Sequence, residues 1–203
     1  MPLAPSDKIV KLALKPVIFL LCLFPLGWLI WGAFNDTLGA NPAEALTRET
    51  GEWTLRFLLI TLLVTPARKI LGWPWLIKLR RMLGLFVFFY ALMHLLTYVW
   101  FDQFFDVNEI IKDVIKRPFI ALGFTAFLLL IPLALTSTNK MMRRLKKNWA
   151  KLHKLIYLIA VLGLLHFIFL VKADYLQPVI YSLILLPLFV YRAYAERIKK
   201  SRA

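Results

Sequence analysis

The sequence has a single cysteine, Cys22, so an intrachain disulfide is excluded, and with it the small secreted folds that depend on one. There is no CxxC or CxxCH arrangement, which excludes dithiol redox chemistry and covalent heme attachment. Cys22 stands inside an apolar run, where packing is its expected role. Acids are scarce: 11 Asp and Glu face 26 Lys and Arg, for a net charge of +15. Long polar stretches are missing, so no soluble nucleotide-binding fold has room. The 8 glycines and 11 prolines mostly stand between apolar runs or near their edges, and histidine occurs only three times.

What remains is strongly apolar. Of the 203 residues, 61% are hydrophobic, well above the roughly 45–50% of a soluble domain. The apolar runs fall at 12–34, 54–71, 82–101, 118–137, 152–171 and 175–194. Each is about long enough to cross a bilayer, so the expected fold is an all-α membrane bundle of six spans forming one domain over 1–203. The basic residues cluster between the runs. Segments 1–16, 66–81, 138–154 and the tail after 191 carry twenty Lys and Arg against only Asp7 and Glu196. The alternate connections hold Arg48, Lys112, Lys116, Arg117 and Lys172 against nine acids. This asymmetry predicts that both termini are cytoplasmic, and it accounts for the charge better than a nucleic-acid groove does.

Along the chain, Pro25 predicts a modest kink in the first span. Asn35, Asp36, Gly39, Asn41 and Pro42 predict turns through the connection 35–52, and Thr65-Pro66 predicts the end of the second span. Arg56, just inside that span, is expected either to snorkel to the outer interface or to meet a heme propionate or quinone. Trp73 and Trp75 are expected as interface anchors. In the connection 102–117, Val107, Ile110, Ile111, Val114 and Ile115 recur at helical spacing, predicting an amphipathic surface helix at the membrane interface or against an outer partner.

The three histidines, His94, His153 and His166, all stand in or at the edge of a span. Any one of them is equally explained as a packing or interfacial group. Together they suggest a buried cofactor. His94 and His166 lie late in the third and fifth spans, which both run outward, so they share an outer level. Neutral imidazoles from two adjacent helices suit the axial positions of a six-coordinate iron porphyrin, a one-electron carrier. Zinc or copper is an alternative. A compact three-histidine site is disfavoured because His153 lies thirteen residues before His166, about 20 Å along a helix. Near His153, on the cytoplasmic side, Arg80 and Arg81 enter the third span. They either anchor the positive side or contact a second heme, a flavin phosphate or a donor head group.

These residues carry a resemblance. Arg80-Arg81-x-Leu83-Gly84-Leu85, followed by Tyr90-Ala91-Leu92-Met93-His94-Leu95-x-x-Tyr98, resembles the third span of the heme-binding membrane subunits of the bacterial periplasmic methionine-sulfoxide reductase system, the MsrQ (formerly YedZ) family. Thr136-Ser137, then Arg144-Leu145-x-x-x-Trp149-x-x-Leu152-His153-Lys154-x-x-Tyr157 and His166, resemble its fourth-to-fifth-span region. Thr50-Gly51, Thr65-Pro66 and the six-run layout extend the likeness over nearly the whole chain. The resemblance also implies the wider ferric-reductase-like transmembrane superfamily, in which two helices commonly offer two histidines each to two b-type hemes. Here the third span has only His94, with Arg80 near the place of its inner histidine.

The resemblance implies heme b, FMN as a family cofactor, and electron transfer from the quinone pool or a cytoplasmic flavin reductase to a periplasmic molybdopterin methionine-sulfoxide reductase. The chain would then be an electron-transfer subunit of the inner membrane and not the sulfoxide-reducing catalyst. Two alternatives remain at this stage: a ferric-reductase-like electron carrier for another acceptor, and a transport or structural subunit without redox work.

Overall fold

A computed structural model describes residues 5–171, 173 and 175–201; Lys172, Asp174 and Arg202, which count toward the charge pattern, lie outside the described residues. The described residues fold into helices α1 (Asp7–Phe34), α2 (Pro42–Ile70), α3 (Arg80–Asp102), α4 (Val107–Lys116), α5 (Pro118–Leu135), α6 (Asn139–Leu145), α7 (Lys147–Leu170) and α8 (Leu176–Ser201). A single 3₁₀ turn, Pro74–Lys78, precedes α3. Five helices, α1, α3, α5, α7 and α8, are long and apolar enough to cross a membrane, and they coincide with five of the six apolar runs. The protein is therefore an all-α, multi-spanning membrane bundle.

The sixth expected run, 54–71, lies in α2, which is longer and more polar than expected. Its uninterrupted core, 57–64, is flanked by Arg56 on one side and by Arg68 and Lys69 on the other. The helix begins at Pro42, not after residue 52, so most of the expected turn region is helical. The reason is local. The Asn41 side chain accepts from the Glu44 amide at 3.2 Å and donates back to the Glu44 carboxylate, while Pro42 has no amide to leave unpaired at the first position. Pro66 does not end the helix either, and α2 runs on to Ile70.

The centre is a ring of four helices. α2 packs along α3, α3 meets α5, α5 packs along α7, and α7 returns to α2. α1 lies over α2 and α3, and α8 over α2 and α7. Phe57, Phe86 and Tyr90 fill the α2–α3 seam, with Phe57 stacked on Tyr90 at 5.1 Å and on Phe86 at 5.6 Å. Outward faces stay apolar, as at Leu20, Phe24 and Trp28 of α1 and Leu183, Leu186 and Val190 of α8. A contiguous apolar exterior of this kind marks a lipid-facing surface.

At the turn that holds Pro25, the buried Tyr90 hydroxyl donates to the Cys22 carbonyl at 2.7 Å and accepts from the Leu26 amide at 3.2 Å. A regular helix joins those two backbone groups directly. One phenol thus satisfies the weakened turn and pins α1 to α3. Cys22 is buried there among packing groups. At the other end of α3, Tyr98 and Gln103 donate to the Asp113 carboxylate, which also pairs with Arg117 and so ties α4 down. α4 is the amphipathic helix expected from spacing: Val107, Ile111 and Ile115 are exposed, while Ile110 and Val114 turn toward the bundle.

Candidate functional site

α3 and α7 stand at opposite corners of the ring and bring His94 and His166 together across its centre, near their C-terminal ends. The ring centres stand 6.0 Å apart with planes 75° apart. Each imidazole is fixed by a backbone carbonyl from the neighbouring antiparallel helix. His94 Nδ1 lies 2.8 Å from the Thr47 oxygen of α2, and His166 Nδ1 lies 2.6 Å from the Phe119 oxygen of α5. A carbonyl can only accept, so each Nδ1 carries the proton and each Nε2 is left as the basic nitrogen. This is the second-shell arrangement that orients metal-binding imidazoles.

Two imidazoles that bind one metal from opposite sides at about 2 Å each hold their ring centres about 6 Å apart. Among the described residues, no group of three or more His, Cys, Asp or Glu side chains converges to hold a metal ion. The pair therefore suits an ion whose other ligands come from a non-protein group, as in a porphyrin. The residues present fit a heme.

The site is built twice from one pattern. Thr47, Gly51 and His94 recur as Phe119, Gly123 and His166 at a constant offset of 72 residues. In each half the carbonyl stands 47 residues before its histidine. In each half, too, a helical glycine lies four residues beyond that carbonyl and faces the ring. A Cβ on Gly51 would lie 3.0 Å from His94 Cε1 and Nδ1, and one on Gly123 would lie 2.8 Å from His166 Nδ1.

His153 is not part of this pair. It stands at a turn in α7, where the backbone departs from the smooth helix expected through 152–171. Its ring stacks on Trp149 at 3.9 Å, and its Nδ1 lies 3.1 Å from the Trp149 carbonyl. Its Nε2 is buried without a hydrogen-bond partner. His153 lines a cavity of about 880 Å³ at the opposite end of the four-helix ring, shared with Arg80, Arg81, Lys69, Tyr157 and Arg192. Arg80 and Arg81 thus join His153, as their expected depth implied, and stay apart from His94 and His166. Arg81 also donates to Asn139 of α6. The Arg192 guanidinium lies 5.6 Å from the Tyr157 ring centre, and its Nε is buried without a partner.

Arg56 finds its partners within the protein. It pairs with Glu52 and, at 3.7 Å, with Glu49; its Nε donates to the Tyr181 hydroxyl at 3.2 Å, and its guanidinium covers Trp53 at 4.6 Å. Trp73 and Trp75 stack on each other at 5.9 Å. Sequence reasoning missed Arg192, which it placed among tail charges, and missed Thr47, Phe119 and Gly123 as site residues. The equal 43-residue separation of Gly51 from His94 and of Gly123 from His166 was the available signal.

Comparison with known proteins gives the family. Residues 50–164 match the family described as ferric reductase like transmembrane component. The chain is 53% identical over 192 residues to the protein-methionine-sulfoxide reductase heme-binding subunit MsrQ of Herminiimonas arsenicoxydans, covering 93% of this chain and 88% of the relative. It is 52% identical over 189 residues to the MsrQ subunit of Azospira oryzae, covering 92% and 81%, and 51% identical over 193 residues to that of Polaromonas naphthalenivorans, covering 94% and 88%. No solved structure matches the chain. With a family match over more than half its length and such relatives over nearly all of it, the chain belongs to the MsrQ heme-binding subunits of the ferric reductase like transmembrane family.

Proposed function

We propose that this chain is the heme b-containing electron-transfer subunit of a periplasmic methionine-sulfoxide repair system. It carries electrons from the quinone pool or a cytoplasmic flavin reductase across the bacterial inner membrane. The acceptor is a periplasmic molybdopterin methionine-sulfoxide reductase, which repairs oxidised envelope proteins, and the chain itself does not reduce the sulfoxide. The observation that carries this reading is the His94–His166 pair, with 6.0 Å between ring centres and both Nδ1 atoms held by carbonyls. Bound there, heme b supplies one-electron redox chemistry without an open coordination site.

The basic segments support a six-span topology with both termini cytoplasmic, α2 serving as the second span inside the bundle. In that orientation the histidine pair lies at the outer level and the cationic cavity at the inner level. His153, Arg80 and Arg81 there contact a second heme, FMN or the head group of the electron donor. The cluster of cations and the unpartnered Arg192 Nε–H support an anionic occupant, and the basic His153 Nε2 supports a contact to a donor or a metal.

Purified protein reconstituted in membranes tests the proposal. Quinol or a flavin reductase should produce a reduced b-type spectrum, and adding the oxidised periplasmic partner should restore the oxidised one. Reduction without reoxidation by that partner overturns the assigned acceptor, and no b-type signal after heme-replete expression overturns the redox reading. Reporter fusions at residues 40 and 108 should report outside and those at 75, 145 and 200 inside; inversion at 75 and 145 overturns the assignment of the histidine pair to the outer side.

A further inference from the structure

We propose that Gly51 and Gly123 are positioning residues that set the two axial imidazoles, each by withholding the Cβ that would displace its histidine ring. The inference rests on the reading of His94 and His166 as heme ligands.

The first observation is steric. A Cβ on Gly51 would lie 3.0 Å from His94 Cε1 and Nδ1 and 3.5 Å from Nε2. On Gly123 it would lie 2.8 Å from His166 Nδ1, 3.0 Å from Cε1 and 3.2 Å from Cγ. Both glycines sit inside helices, where glycine is a poor helix former and alanine the best, so backbone conformation does not call for them. What calls for them is the ring. His166 has little freedom to retreat, because its Nδ1 is already 2.6 Å from the Phe119 oxygen. His94 is likewise held at 2.8 Å from the Thr47 oxygen.

The second observation is the repetition. Each glycine lies one helical turn beyond the carbonyl that holds its histidine, Thr47 before Gly51 and Phe119 before Gly123. Carbonyl and glycine therefore share one helix face, the first gripping the ring nitrogen and the second giving the ring its space. The same pair of contacts recurs at a 72-residue offset in two segments whose other residues are mostly different. By contrast, a Cβ on Gly27 of α1 would meet nothing within 4 Å. At Gly32 and Gly163 the nearest atom is instead the end of a leucine side chain, 2.7 Å to Leu38 Cδ2 and 3.3 Å to Leu55 Cδ2, and not a ring held by a carbonyl.

In Gly51→Ala or Gly123→Ala the ring has to shift or turn. Its Nδ1–H···O bond then lengthens, Nε2 loses basicity and orientation, and the angle between the two ligand planes changes. The test uses the full chain, expressed heme-replete, with low-temperature magnetic resonance of the low-spin iron, redox titration and heme content per folded protein. Each alanine variant should shift the low-spin g values and the midpoint potential and lower heme retention about tenfold or more, while helical content is kept. Gly27→Ala should leave all three unchanged.

Unaltered g values, potential and heme content in either Gly51→Ala or Gly123→Ala overturn the inference, as does a change in heat stability alone. A companion pair remains informative where the ring clash stops folding. His94→Gly removes the ring that the new Cβ would strike, and exogenous imidazole then restores the low-spin signal. With Gly51→Ala added, restoration should need about tenfold more imidazole; equal requirements overturn the inference. Failure of the underlying heme reading looks different. There, His94→Ala or His166→Ala would keep the parent signal, whereas failure of this inference leaves a signal that depends on both histidines and ignores the glycines.

Discussion

The two ends of the four-helix ring solve different problems with related parts. At the end that holds His94 and His166, the outer end in the proposed orientation, two imidazoles face each other, each fixed by a carbonyl and faced by a glycine, so two halves of the chain contribute equally. At the inner end, His153 has no histidine opposite it. A cavity of about 880 Å³ opens among Arg80, Arg81, Lys69 and Arg192, and buried polar atoms on His153 and Arg192 lack partners. Unpaired buried polar groups are costly: the Arg192 Nε–H calls for an acceptor, while the His153 Nε2, left basic because its Nδ1 faces a carbonyl, calls for a donor or a metal. The outer end is pre-organised around a fixed axis; the inner end offers charge and room.

The largest expected effect breaks the comparison at its symmetric end. His94→Ala or His166→Ala removes one of the two proposed neutral nitrogen ligands and leaves an apolar gap. Electron delivery to the periplasmic partner should fall at least about a hundredfold, with loss or change of the low-spin spectrum. His153→Ala should leave that outer spectrum in place and alter only the step that loads electrons at the inner end. Spectra of folded single variants, normalised to protein, check both outcomes. An unchanged bis-imidazole signal in either outer variant would remove the pairing altogether.

A smaller effect probes the asymmetric end. Arg192→Gln keeps a polar donor group on a shorter side chain but deletes a cation whose Nε faces no partner within the protein. Loading of electrons from quinol or flavin reductase should weaken about tenfold, the scale of one charge-assisted hydrogen bond. The outer spectrum and its potential should not move. If stopped-flow reduction of the variant matches the parent, Arg192 belongs to the packing against Tyr157 and not to the ligand.

The difference between the ends also decides how much of each was legible in the sequence. Five of the six expected runs were legible as helices long and apolar enough to cross a membrane, because lipid demands continuous apolar length, which leaves a visible run. The His94–His166 pair was legible because two parallel helices put residues of equal depth at one level. α2 was harder: its start was written in Asn41-Pro42 and Glu44, yet the same residue types also make turns. Its polar ends are carried by a helix packed against α1, α3, α7 and α8, a setting no single run reveals. The cavity was not legible, since an empty space is what six helices fail to fill. Arg192 therefore looked like any other basic residue of the tail. The glycines were legible only as an equal spacing, and that spacing acquires meaning once a ring is seen against each one.

The smallest expected effect on electron transfer lies between the two ends. α3 carries Arg80 and Arg81 at one end and His94 at the other, and the buried Tyr90 hydroxyl joins it to α1 at the Pro25 turn. Tyr90→Phe keeps the ring and its stacking on Phe57 while leaving the Cys22 carbonyl and the Leu26 amide without their bridge. Two backbone groups within the bundle then rely on a turn already weakened by proline, at a cost of about 1–3 kcal/mol. Heat should release the outer cofactor at a lower temperature, because α3 loses a lateral anchor one turn before His94. Before that transition, the spectrum, the potential and the transfer rate should stay within about twofold of the parent, since none of the groups that touch either site has changed. A Tyr90→Phe variant whose spectrum shifts at low temperature would mean that the ring axis depends on α1, and the separation drawn between scaffold and site would have to move outward by one helix.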